Sequence, residues 1–252
     1  QAMYLPAPSP TTPSPAAQWS GRLSMLHRLI TATESKIMRP RGSSLRRGTG
    51  NSISKIFKEE AMGGYFSRNH KRITYPVDTA RSRGLRNAQL GAIHAIASFF
   101  TLNQSQAAIT VMPTGAGKTA VLMMAPYVIT KDKVLVVTPS VMVRGQIAED
   151  FQSLTTLCKA NVFKESMAKP RVYEMFHKFS EECLPEMEKA DVIVATPQCA
   201  LSLSETEWAV KNITLVEIDE AHHTPAKTWQ QILINLGTAT HVLFTATPFR
   251  LD

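Results

Sequence analysis

Between residues 107 and 245 the chain alternates short apolar runs with longer stretches of helical period. The runs occupy 107–112, 134–137, 192–195, 213–218 and 241–245. They are rich in Val and Ile and lack the polar alternation of a half-exposed sheet, so they predict strands buried on both faces. Leu85, Leu90, Ile93, Ile96, Phe99 and Phe100 recur at helical spacing ahead of the first run. Further helical patterns cover 118–129, 141–158, 170–180 and 225–236. Strand–helix alternation of this kind predicts an α/β fold, a mostly parallel sheet with helices on both faces. Such sheets bind ligands at the carboxyl ends of their strands. The distinctive turns of this sequence fall there, after Met112, Val137, Ala195, Ile218 and Thr245.

The first quarter of the chain has a different texture. Five prolines fall within residues 1–15, a composition that holds neither helix nor core. Residues 1–58 carry nine Lys or Arg against the single acid Glu34, whereas 59–252 carry nineteen of each sign. The net charge of +8 therefore belongs to the leader and not to the body. Residues 1–65 are expected to form a poorly ordered basic segment and 66–252 the folded domain. An organellar transit peptide, a tail that touches nucleic acid and a leader without chemistry all fit that composition. Gln1 in place of an initiator Met fits a fragment or a processed product.

Composition narrows the class further. The longest apolar stretch, 120–129, is far short of the ~20 residues of a membrane-spanning helix, so no membrane partner is expected. Cys158, Cys183 and Cys199 are odd in number and widely spaced, which suits a reducing compartment and no zinc ribbon.

Two segments carry chemistry. Met112-Pro113-Thr114-Gly115-Ala116-Gly117-Lys118-Thr119 follows a predicted strand and opens a predicted helix. Its glycines let backbone N–H groups face phosphate oxygens, and the helix start adds positive potential. Thr114, Gly115, Ala116 and Gly117 would line the phosphates, Lys118 would reach the β- and γ-phosphates, and Thr119 would ligate Mg²⁺. The generic fingerprint has Gly where Met112 stands. The second segment, Ile213 to His223, is an apolar strand ending in Asp219-Glu220-Ala221-His222-His223. Asp219 can hold Mg²⁺, directly or through water, and Glu220 can orient an attacking water. Alternation along a strand would point these neighbours to opposite sides. Glu217 is a carboxylate inside an otherwise apolar strand and must find solvent or a partner. The His222–His223 pair lacks both the zinc-protease spacing and an evident third ligand.

The phosphate loop MPTGAGKT, the acidic DEAHH and the later TATPFR, in this order, resemble the first RecA-like lobe of a superfamily 2 DEAD/DEAH-box helicase. The doubled histidine and TATPFR are most similar to the branch holding restriction-enzyme translocase subunits. The resemblance covers about residues 84–252. It implies a RecA-like P-loop NTPase that uses ATP and Mg²⁺ and acts on nucleic acid, with Lys118, Asp219, Glu220 and His222 in catalysis. In Leu85-Arg86-Asn87-Ala88-Gln89, Gln89 would read the adenine edge, with Tyr75 as a candidate for stacking on the base. The segment Val137-Thr138-Pro139-Ser140 with Gln146, and Ala195-Thr196-Pro197-Gln198, would grip the nucleic-acid backbone through Thr138, Pro139, Gln146 and Thr196. Thr245 and Thr247 would couple hydrolysis to movement, with His222 contacting them. Arg250 has no clear role.

The family also has a second RecA-like lobe bearing arginine fingers, which in comparable phosphoryl-transfer systems contribute roughly 10³–10⁵ in rate. The sequence ends at Asp252, just after TATPFR. By itself the chain is expected to bind nucleotide weakly, to turn over slowly and to unwind nothing. The expected function is that of the ATP-binding lobe of a DNA or RNA helicase or translocase, with DNA favoured by the restriction-type doublet. A non-catalytic nucleic-acid-binding or adaptor module is the alternative. Nucleus, cytoplasm and mitochondrion all remain open as its location.

Overall fold

The computed structural model describes residues 63–102, 106–220 and 226–247. The expected leader up to residue 62, the pair His222–His223 and Pro248-Phe249-Arg250 lie outside the described residues. The elements run α1 (Tyr65–Asn69), α2 (Asn87–Leu102), β1 (Ala108–Val111), α3 (Lys118–Ile129), β2 (Val134–Val137), α4 (Val141–Ser153), α5 (Thr155–Lys159) and β3 (Val172–Met175). They continue with α6 (Leu184–Lys189), β4 (Val192–Ala195), α7 (Pro197–Ser204), α8 (Glu207–Asn212), β5 (Leu215–Ile218), α9 (Ala226–Asn235) and β6 (Thr240–Thr245).

The six strands form one sheet in the order β1-β6-β5-β2-β4-β3, and every pairing is parallel. Side chains alternate across a strand, so each strand feeds two cores. Val134, Val136, Val192, Val194, Leu215, Val242 and Phe244 join one core with residues of α2 to α5. Leu135, Val137, Ile193, Ala195, Val216, Ile218 and Leu243 join the other with residues of α6 to α9. Helix α3 is apolar on all sides, and Ala120 to Tyr127 are all buried. A helix of that composition requires cover all round, and α3 packs against α2 and α1. No helix among the described residues is long and apolar enough to cross a membrane.

Gly64 and Tyr65, on the leader side of the expected boundary, are anchored to this body. Asp132 accepts hydrogen bonds from the N–H groups of Gly64 (3.1 Å), Phe66 (2.8 Å) and Ser67 (3.1 Å) and from the Ser67 hydroxyl. A carboxylate from elsewhere in the chain thus satisfies the free donors that start α1.

Three pattern-based expectations are corrected. Residues 170–180 contain no α-helix; β3 lies there instead, at the sheet edge. Val172, Met175, Phe176 and Phe179 are spaced i, i+3, i+4, i+7, so a strand followed by a loop imitates a helical stripe. The pattern over 141–158 is two helices, because Leu154 turns left-handed (φ 56°) between α4 and α5. Strand β1 is not buried on both faces. It is the other edge strand, and Ile109 and Val111 remain 43% and 47% exposed.

Candidate active site

All six strands point the same way, so the turns after β1, β2, β4, β5 and β6 open on one edge of the sheet. The phosphate loop leaves β1 and enters α3. Gly115 (φ 80°) and Gly117 (φ 85°) occupy left-handed backbone that an L side chain adopts at a cost. Ala116 N–H closes the turn on Pro113 O at 3.0 Å, and Gly117 caps α3. Thr114 and Gly115 are exposed, while Thr119 sits half-buried in the first turn of α3.

Lys118 is drawn into the acidic strand end. Its Nζ lies 3.3 Å from Asp219 Oδ1 and makes a closer hydrogen-bonded ion pair with Glu220 Oε1. The expectation that the two carboxylates part to opposite sides is therefore corrected. Strand β5 ends at Ile218, and Glu220 takes a left-handed conformation (φ 49°) that swings its side chain back toward Lys118. Asp219 Oδ1 is buried and, among the described residues, has the Lys118 ammonium 3.3 Å away but no well-directed hydrogen bond. Burial raises the Asp219 carboxyl above its usual range and Glu220 adds to that, while Lys118 works against it.

A buried, underbonded hard oxygen beside a phosphate-loop lysine, with a Thr hydroxyl opening the adjacent helix, suits a divalent cation bound together with phosphate. The side chains present therefore fit Mg²⁺ and a nucleotide. Asp219 and Thr119 are the residues that would hold the metal.

The segment expected to couple hydrolysis to movement meets the same carboxylate. Ala246 N–H donates to Glu220 Oε2 at 3.4 Å. The Thr245 hydroxyl donates to Thr247 O at 2.7 Å and accepts from Thr247 N–H at 3.2 Å, a local turn that follows β6. Met112 N–H donates to Thr245 O at 2.9 Å, which ties this turn to the start of the phosphate loop. His222, assigned a contact with this segment, lies outside the described residues. Among the described residues Glu220 makes the link, a role that sequence alone did not reveal.

The adenine-side expectation meets a different geometry. Gln89 is 7% exposed. Its Oε1 accepts from Arg86 N–H at 2.9 Å, and its Nε2 donates to Gly117 O at 3.0 Å. Arg86 Nη1 also donates to Gly115 O. One N–H and one oxygen lone pair of the Gln89 amide are engaged within the protein, which fixes the direction of the amide beside the phosphate loop. Sequence reasoning missed Arg86, although it stands in the same quoted segment. Tyr75 packs on His94 of α2, ring centroids 5.0 Å apart, and is 38% exposed.

The expected nucleic-acid residues lie on the neighbouring strand ends. Thr138 is fully buried, with its hydroxyl donating to Ser140 O at 3.3 Å. The exposed hydroxyl of that turn is Ser140, which caps α4 by accepting from Val143 N–H at 3.3 Å. Gln146 is exposed, and Pro139 and Thr196 are half-buried. Pro197 starts α7, where its missing N–H costs nothing.

Glu217 faces the same core as Leu215, given the alternation along β5. It is fully buried, and among the described residues neither oxygen has a hydrogen-bond partner. Burial, and then the nearby Asp219, push its carboxyl well above the usual range. The expected escape to solvent or to a partner does not occur.

A family model described as "Type III restriction enzyme, res subunit" matches residues 83–250. No curated protein sequence matches the chain. Among solved structures it is similar to the UvsW helicase of bacteriophage T4, at 16% identity over 72% of this chain and 59% of that one, with a TM-score of 0.48. It is similar to the Hef helicase domain of Pyrococcus furiosus, at 26% identity over 67% and 34%, with a TM-score of 0.48. It is also similar to the yeast DEAD-box splicing factor Prp28, at 20% identity over 65% and 41%, with a TM-score of 0.49. In each case the chain spans less than two thirds of the other's length. With more than half of its residues matched by the family model, the chain belongs to the family of type III restriction enzyme res subunits.

Proposed function

We propose that this chain is the ATP-binding lobe of an ATP-dependent DNA helicase or translocase, with RNA as the less favoured track. The observation that carries the reading is the meeting of Lys118, Asp219 and Glu220 beneath a loop with two left-handed glycines. That is the donor set for a nucleoside triphosphate with its metal. Mg²⁺-ATP supplies the transferable phosphoryl group and its charge neutralisation. Lys118 turns from the carboxylates to the phosphates. Thr119 and Asp219 would hold the metal. Glu220, once released by Lys118, orients the attacking water. Because Glu220 also accepts from Ala246 N–H, its movement is felt by the segment from Thr245 to Thr247, where His222 is also assigned. The turns bearing Thr138, Pro139, Gln146 and Thr196 face the nucleic-acid backbone, and a second RecA-like lobe supplies the arginines that complete turnover.

ATP binding and single-turnover hydrolysis test this. Wild-type chain is expected to bind Mg²⁺-ATP and to hydrolyse it slowly. Lys118→Ala should abolish binding. Glu220→Gln should keep binding and lower hydrolysis at least about 100-fold, the loss usual for a group that acts in the transition state. Unchanged behaviour of both variants would overturn the reading in favour of a non-catalytic adaptor module.

A further inference from the structure

The strand ends on the other half of the sheet carry an aromatic side chain that the nucleotide site leaves unused. Met175 of β3 pairs with Ala195 of β4, and Val137 of β2 pairs with the same Ala195. The next residues outward, Thr138, Thr196 and Phe176, therefore leave three adjacent strands at one level. Neighbouring strands stand ~4.8 Å apart, so the row is about 10 Å long. That is a span of two to three nucleotides at the ~3.4 Å rise of a stacked strand.

Phe176 is 62% exposed, yet its ring is fixed. The Arg144 guanidinium lies against it with Cζ 4.5 Å from the ring centroid. Arg144 itself is 3% exposed. Its Nε donates to Glu174 Oε1 at 2.8 Å and its Nη1 to Met175 O at 3.1 Å. One buried arginine thus grips Glu174, Met175 and Phe176 in succession, holding one ring face covered and presenting the rest of the ring to solvent. His177 and Lys178 follow, both exposed. A single oriented ring beside basic side chains is too small for a protein interface, which needs about 800 Å² per partner. It matches a nucleobase, which has an aromatic face and a phosphate one sugar away.

We propose that Phe176 is a base-stacking platform for single-stranded nucleic acid. It adds a contact to base faces beside turns that meet only the backbone, and Lys178 is placed to meet the adjoining phosphate. This rests on the nucleic-acid reading of the chain, and the test separates the two. Binding is measured by fluorescence anisotropy with a single-stranded DNA of about 20 nucleotides and with an abasic strand of equal length. Phe176→Ala is expected to weaken binding of the base-bearing strand about ten-fold and to leave the abasic strand unchanged. Phe176→Trp should retain binding, and Phe176→Leu should behave as the alanine variant does. Equal binding of the base-bearing strand by wild type and Phe176→Ala would overturn the platform while leaving the nucleic-acid reading intact. A wild-type chain that binds neither strand would overturn both.

Discussion

The two halves of the sheet are organised by different means. On β1, β6 and β5 the candidate site is tied together by side chains: Lys118 on Asp219 and Glu220, Glu220 on the Ala246 backbone N–H, and Gln89 on the Gly117 backbone carbonyl. On β2, β4 and β3 the corresponding edge is a row set by backbone register, and its one strong side-chain assembly, Arg144 with Glu174, faces an edge strand. Ionic contacts place a reacting group to a fraction of an ångström, as phosphoryl transfer demands. Under the proposed function, a row of turns can follow a repeating backbone without that accuracy.

That contrast can be broken from either side. The largest effect is expected at the crowded phosphate loop. A Cβ on Gly117 would collide with the Gln89 amide, and the position also has φ 85°, whereas a Cβ on Gly115 meets nothing within 4 Å. Gly117→Ala should cost about 2–4 kcal/mol, the sum of backbone strain and overpacking, and Gly115→Ala only about 1 kcal/mol. Urea unfolding of the two variants measures the difference, and equal losses would show that Gln89 is not clamped on the loop.

On the other half, Arg144→Ala should cost about 2–3 kcal/mol. Removing one partner of a buried ion pair usually costs more, but Glu174 is partly exposed and can rehydrate. Arg144 braces Phe176 and lies on the half of the sheet away from the nucleotide site, so the variant should still bind and hydrolyse ATP at wild-type rates while losing the base-dependent part of strand binding.

A smaller effect follows from His241 in β6. Burial lowers its imidazole to about 4, against the bond from Nε2–H to Leu236 O at 3.0 Å, which favours the charged form. Between pH 6.5 and about 4 the unfolded chain takes up a proton that the folded chain refuses. Stability is therefore full above pH 6.5 and falls as the pH drops through this window. The loss from this residue is about 2 kcal/mol by pH 4.5. Thermal melts at pH 7 and pH 4.5 should show a smaller difference in His241→Gln than in wild type.

Strands buried on both faces were legible because nothing but apolar residues suits them: the runs at 134–137 and 192–195 are β2 and β4 to the residue. The helix at 118–129 was equally plain. Strand β3 was hidden because an edge strand can afford Tyr173 and Glu174, and because Phe176 and Phe179 beyond it complete a false helical stripe. The phosphate loop and acidic pair were legible as residue types in order. Their mutual contact was not, since it depends on a single positive φ at Glu220 that strand periodicity does not encode. Phe176 could not be read because its meaning lies in the level it shares with Thr196, twenty residues away, which the pairing of Met175 with Ala195 sets.

The Lys118–Glu220 pair also bears on how nucleotide binding responds to solvent ions. The lysine charge is already neutralised by carboxylates before any phosphate arrives, so binding is an ion exchange in which one oxyanion replaces another. Nucleotide affinity is thereby expected to vary only gently with ionic strength, while strand binding on the other half, proposed to use exposed Lys178, is expected to fall steeply over the same range.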